Sequence, residues 1–161
     1  IANAYFLPGR RLRKALIHAA QRGVRVRLLL QGRYEYFMQY HAARPVYGVL
    51  LAAGVEIYEY KASYLHAKVA VVDPGRERSW ATVGSSNLDP LSLLLAREAN
   101  VVVADKSFAN ELYQRLCLAI EQQSTQVMAE VYTQRPWSQR IRDRLAFGLM
   151  RLALFLTGHR Y

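Results

Sequence analysis

His66 and Lys68 are the residues from which a chemistry can be read. In LHAKVAVV (residues 65–72) the alternation puts Leu65, Ala67, Val69 and Val71 on one side of a strand and His66 and Lys68 together on the other. A base or nucleophile thus stands beside a fixed positive charge. After Asp73 and a turn at Pro74-Gly75, a second short strand (80–83) leads into Gly84-Ser85-Ser86-Asn87. Small polar residues there let backbone donors, a hydroxyl and an amide approach an anion closely. The anion this set suits is a phosphate, and the chemistry is metal-independent transfer or hydrolysis of a phosphodiester.

The spacing carries more information than the composition. His66-x-Lys68, four residues, Asp73, and then Gly84-Ser85-x-Asn87 resembles the signature of the phospholipase D superfamily. The ten residues between Asp73 and Gly84 exceed the usual interval and are read as a longer hairpin turn around Gly75. Asn87-Leu88-Asp89-Pro90-Leu91-Ser92 and Arg97-Glu98-Ala99-Asn100 are similar to the bacterial cardiolipin synthases, their B branch most of all, and less so to the superfamily's nucleases. Many of those synthases carry arginine where this chain has Leu91.

The resemblance implies a mechanism. One histidine of such an enzyme forms a covalent phosphohistidine, a second motif's histidine protonates the leaving alcohol, and His66 would fill one of these roles. Lys68, Ser85 and Asn87 would hold the phosphate oxygens, and Glu98 would hydrogen-bond the imidazole and fix its tautomer. Asp73 completes the catalytic motif but has the opposite strand parity to His66, so it is read as structural, bonding backbone amides near the turn. The implied activity is transfer of a phosphatidyl group to phosphatidylglycerol, making cardiolipin. The alternatives are a phospholipase D with water as acceptor, a homodimeric nuclease, and a silent lobe used for membrane binding or assembly. No cofactor is expected, and no metal: no His/Cys/Asp cluster has ligand spacing. The chain carries a single histidine–lysine–aspartate set, so the second must come from an N-terminal lobe or a second chain. The opening IANAYFLPG, starting without Met inside a strand pattern, favours the former.

The elements around the motif read as one α/β lobe over residues 1–130, a mixed, mostly parallel sheet flanked by helices. A strand (1–6), a helix (11–22) ended by Gly23 and a strand (24–30) form a β-α-β unit. Residues 31–45 read as an irregular aromatic stretch, with Tyr34, Tyr36, Phe37, Tyr40 and His41 a candidate lipid-pocket rim, and His41 as a surface histidine without a partner. A helix (46–53) and a strand (55–60) precede the catalytic strand. Residues 99–104 read as a central strand covered on both faces, and 105–123 as a helix. Arg25 and Arg27 read as solvated and Cys117 as a buried structural thiol.

Composition bounds the partners. The 161 residues are 52% hydrophobic, enough for one buried core, and the net charge of +10 attracts polyanions. Residues 131–161 are distinct: a basic amphipathic tail with Trp137, Ile141, Leu145, Leu149, Leu152 and Phe155 near one helical face and Arg140, Arg142, Arg144 and Arg151 between them. Such a helix suits the headgroup region of an anionic membrane. The expected partners are therefore anionic phospholipids and a membrane surface, with no nucleic acid. Together with the resemblance to the bacterial cardiolipin synthases, this implies a location at the bacterial cell membrane, peripherally, on its cytoplasmic face.

Overall fold

The computed structural model describes residues 1–33 and 37–156, with the side chains of 39 and 154–156 excepted. Tyr34, Tyr36, the Phe155 side chain and residues 157–161 of the tail lie outside it. Thirteen elements follow in order among the described residues: β1 (Ala2–Asn3), α1 (Arg10–Gln21), β2 (Arg27–Gln31), α2 (Phe37–Ala52), β3 (Glu56–Tyr60), β4 (Lys68–Val72), β5 (Trp80–Gly84), α3 (Pro90–Leu94), β6 (Asn100–Val103), α4 (Lys106–Gln123), β7 (Ser124–Gln126), α5 (Ala129–Thr133) and α6 (Trp137–Leu156).

The strands form one sheet in the order β6-β5-β4-β1-β2-β3-β7. Helices flank it, as expected of a mixed α/β lobe, but parallel pairing is the minority. Only β1–β2 and β2–β3 run parallel; β1–β4, β4–β5, β5–β6 and β3–β7 are antiparallel. The reason is local. Parallel neighbours need a long crossover, which α1 and α2 supply, whereas the 73–79 turn closes β4 onto β5 as a hairpin.

Leu28, Leu30 and Ile57 point to a core shared with Leu16 of α1, Val46 and Leu50 of α2, Tyr132 of α5 and Ala146 of α6. On the other face, Ala2 and Leu29 meet Ile120 of α4, with Leu65, Ala67 and Val69 packed against them. β2 is therefore apolar on both faces, which explains its continuous Leu28-Leu29-Leu30 run.

Three expectations are corrected. α2 starts well before residue 46 and runs through Pro45, which removes one helical hydrogen bond without ending the helix. β6 lies at the sheet edge, not its centre, and its Val101 and Val102 are 63% and 65% exposed. His41 is buried: its Nδ1 lies 2.7 Å from Asp143 Oδ1, and Asp143 Oδ2 accepts from Arg135 Nη1 at 2.9 Å. That buried group fixes α6 against α2, so the tail is docked on the lobe.

Candidate active site

The site forms where β1 and β5 end and β4 and β6 begin. Asn3 of β1 lies opposite Lys68 of β4, and the Ala4 amide donates to the Ala67 carbonyl at 3.0 Å. His66 therefore sits just ahead of β4, in the extended lead-in to the strand. Leu65, Ala67 and Val69 pack under α4, so strand alternation turns His66 and Lys68 to the opposite face. His66 is exposed and Lys68 nearly buried, with Nζ donating to the His66 carbonyl at 3.1 Å.

The loop after β5 is held from two sides. Gly84 faces Asn100 so closely that a Cβ would lie 2.0 Å from Asn100 Oδ1 and 2.5 Å from the Ala99 carbonyl, which excludes any larger residue from an undistorted loop. Asn100 Nδ2 in turn donates to Ser86 Oγ at 2.6 Å. From the other side, Asn3 Oδ1 accepts from the Leu88 amide at 3.0 Å and its Nδ2 donates to the Ser86 carbonyl at 3.5 Å. Asn87 Oδ1 accepts from the Tyr5 amide at 3.4 Å. With its oxygen so placed, the Asn87 Nδ2 is left as a directed donor.

Glu98 is anchored by hydroxyls. Hydrogen bonds from Ser85 and Ser92, with the nearby Lys68 charge, hold its carboxyl below the usual carboxylate range. Its expected bond to His66 is not made among the described residues. Ser85 is correspondingly engaged: its Oγ accepts from the Ala99 amide at 3.0 Å as well as serving Glu98. Its Oγ also donates to the Ala99 carbonyl at 3.4 Å, so the hydroxyl can reach a phosphate only by leaving these partners.

Asp89 was singled out only as part of a motif, yet its buried carboxylate caps α3 by accepting from the Leu91 and Ser92 amides at 2.8 and 3.1 Å. Burial, only partly offset by those two bonds, pushes it above the ordinary aspartate value, and it feels both Glu98 and Lys68. Asp-Pro ahead of an apolar run was a visible helix-start signal for this role. Asn3 and Asn100 had no comparable signal, since each acts on a loop more than a dozen residues away.

Asp73 stands apart from this cluster. Seven residue steps at about 3.3 Å each separate it from His66, roughly 23 Å along the chain. It occupies the hairpin turn with φ at 51°, exposed, and its carbonyl accepts from the Arg76 amide. The structure thus brings Lys68, Ser85, Asn87 and Glu98 to the His66 end and leaves Asp73 at the other. Arg27 bonds Tyr113 Oη at 2.7 Å and Cys117 Sγ at 3.2 Å, and Arg25 pairs with Glu56, both away from the site. Among the described residues no three His, Cys, Asp or Glu side chains gather in a way that would hold a metal ion.

This arrangement of sheet and loop defines a phospholipase D fold. It is similar to that of Nuc from Salmonella typhimurium, a phospholipase D family member, with a TM-score of 0.63 over 79% of each chain and 21% identity. Sequence narrows the class: the chain belongs to the family described as cardiolipin synthase, phospholipase D-like domain, whose model matches residues 1–117. Cardiolipin synthase B of Escherichia coli K12 is 44% identical over 158 residues, 98% of this chain and 37% of the relative. Cardiolipin synthase of Alkalihalophilus pseudofirmus is 33% identical over 141 residues, 88% of this chain and 27% of that protein. The chain therefore spans little more than a third of the length of the first relative.

Proposed function

We propose that this chain is one lobe of a cardiolipin synthase-type phosphatidyltransferase acting on phospholipid at a membrane surface, on the cytoplasmic face of a bacterial cell membrane. The observation that carries the reading is the convergence of His66, Lys68 and Asn87 at one end of the sheet, in a chain with 44% identity to a cardiolipin synthase B over nearly its whole length. The second histidine–lysine–aspartate set belongs to another lobe of the same protein, which accords with the share of the relatives that this chain spans; a second copy of the chain is the alternative source.

In the first step a histidine nitrogen attacks the donor phosphorus and the bond from phosphorus to the departing alcohol oxygen breaks. The other motif's histidine delivers a proton to that oxygen. It then takes a proton from the free glycerol hydroxyl of phosphatidylglycerol, whose oxygen displaces the first histidine from phosphorus. With phosphatidylglycerol as donor, two molecules become one cardiolipin and one glycerol. His66 acts as the nucleophile or as the acid and base of this pair. Lys68, as a compact charge, and the Asn87 amide, as a directed donor, steady the non-bridging oxygens as charge builds on them. Glu98 positions the imidazole once phosphate draws Ser85 away, and Asp73 supports the hairpin.

The test is an assay on vesicles of radiolabelled phosphatidylglycerol, using the chain alone and joined to a lobe carrying the second motif. Cardiolipin plus glycerol from the joined form, reduced at least about 10²–10⁴-fold in His66→Ala, supports the proposal. Phosphatidic acid as sole product makes water the acceptor and the protein a phospholipase D. Cleavage of DNA in place of lipid makes it a nuclease. Activity of the chain alone assigns the second motif to another copy.

A further inference from the structure

α6 has two apolar sides. Asp143, Ala146, Phe147 and Met150 face the lobe. At about 100° per residue, the opposite side carries Trp137, Ile141, Leu145, Leu149 and Leu152, which are 75%, 46%, 62%, 57% and 52% exposed. A surface helix normally turns polar residues to water, so a line of five large apolar side chains along some four turns marks a contact surface. The same rotation sets Arg140, Arg144 and Arg151 along one edge of the stripe and Arg142 along the other. The helix's single carboxylate, Asp143, is turned inward and engaged by His41 and Arg135. The charges on the outward face are therefore all cationic.

Beside the three-arginine edge, a cavity of about 270 Å³ opens between the start of α1 and α6. Leu7, Phe147 and Met150 form its apolar lining, and Arg10, Arg13 and Arg151 supply the charge. Among the described residues no carboxylate pairs with any of these three arginines. Met150 and Leu7 also line a cleft with Asp89 and Leu91, so this surface ends beside the loop that carries Asn87.

We propose that the outer face of α6 docks the protein on a bilayer containing anionic lipid, with the Arg10–Arg13–Arg151 cavity receiving one lipid phosphate headgroup. The stripe enters the boundary between headgroups and acyl chains, and the flanking arginines meet lipid phosphates. Charge complementarity selects this occupant. A protein partner would have to present an apolar groove rimmed with carboxylates on both sides, whereas an anionic leaflet offers apolar depth and negative charge together. No described helix is long and apolar enough to cross the membrane, so α6 lies along it. The inference rests on the phospholipid reading above only for the presence of a membrane, and it can fail separately.

The experiment is vesicle co-sedimentation of the chain carrying His66→Ala, so that binding is read without turnover, on phosphatidylglycerol–phosphatidylcholine and on phosphatidylcholine vesicles. Trp137 fluorescence, in a Trp80→Phe background, should shift to the blue and be quenched by lipids labelled near the headgroup on the mixed vesicles. That readout needs no change to the docking face. The triple substitution Arg10→Gln, Arg13→Gln, Arg151→Gln should weaken binding on the order of 100-fold at low salt, and Leu145→Ser with Leu149→Ser should do so to a similar extent. Arg22→Gln, Arg76→Gln, Arg78→Gln, which removes the same charge elsewhere, should have a much smaller effect. Equal losses in the two triple variants would overturn the cavity's role. An unshifted Trp137, or equal binding to phosphatidylcholine alone, would overturn the docking itself. So would a leucine variant that dissolves a dimer while leaving vesicle binding intact, because a second copy would then cover the stripe. In each of these cases the His66-dependent assay still stands or falls alone.

Discussion

Replacing Asp143 with Asn tests whether α6 belongs to the folded lobe. Asp143 is 2% exposed and His41 5%, and their contact of 2.7 Å is joined by Arg135 Nη1 at 2.9 Å. The substitution keeps the shape and removes the charge, leaving His41 and Arg135 facing a neutral amide. Removing one member of a buried ionic pair costs about 3–5 kcal/mol. At roughly 0.05–0.15 kcal/mol per residue a chain of this size has about 8–24 kcal/mol in all, so the variant should still fold. With about 2–4 °C per kcal/mol expected for a domain of this length, Tm should fall by about 6–20 °C. Urea denaturation followed by circular dichroism measures the loss. The triple variant His41→Leu, Asp143→Leu, Arg135→Met should recover much of it, because matched apolar residues avoid the desolvation cost of the whole group. A loss below about 1 kcal/mol in Asp143→Asn would refute the reasoning, since the group would then be screened like a surface pair and α6 would be held by its apolar contacts alone.

Two further outcomes follow from named contacts. Gly84→Ala should cost about 1–3 kcal/mol and disable phosphatidyl transfer, because its Cβ displaces Asn100 and Ala99 next to Glu98; wild-type activity in a folded variant would contradict the close approach. The hydrogen bond from Arg25 holds Glu56 below the usual carboxylate range, so the pair's contribution is complete above the unfolded glutamate value and is lost as pH falls through the lower folded value. With Arg25 68% exposed, Arg25→Gln should lower stability by less than about 1 kcal/mol at neutral pH, and that gap should close in acid; a gap that widened in acid would reverse the assignment.

The local placement of the motif residues was more legible than the packing, for a physical reason. His66, Lys68, Ser85 and Asn87 occupy a strand lead-in and a tight loop, where spacing along the chain sets position in space almost directly. α1, β3, β4 and α4 were legible because each has a clean apolar period bounded by Gly or by a cap. The partner of His41 lies 102 residues away, and no local pattern announces a contact of that range. α2 was concealed by Pro45, although buried Ala42, Ala43, Val46, Tyr47 and Leu50 follow the helical spacing on either side of it. The Asn100-Val101-Val102-Val103 run reads identically whether both faces are covered or the strand is an edge, so sequence alone placed β6 wrongly. The mostly parallel expectation failed in the same way, because pairing direction depends on which strands become neighbours.

The buried Asp143 group also joins the two proposals. An amphipathic helix with apolar residues on both sides has two ways to lie on the lobe, and hydrophobic burial discriminates poorly between leucine faces of similar area. Asp143 removes the ambiguity: turned outward it would leave His41 buried without its carboxylate and would place a negative charge among the arginines that face the lipid. One carboxylate thus selects which apolar side is covered and keeps the exposed face free of charges that an anionic leaflet would repel. The same choice sets Met150 beside Leu7 and Asp89, at the margin of the phosphate loop. On the two proposals, orientation on the membrane and access of a lipid phosphodiester to His66 would follow from a single docking geometry. A variant that loosens α6 without unfolding the sheet should therefore lose turnover on vesicles before it loses turnover on lipid dispersed in detergent micelles. Asp143→Asn is that variant, and equal losses on both substrates would separate the two sites again.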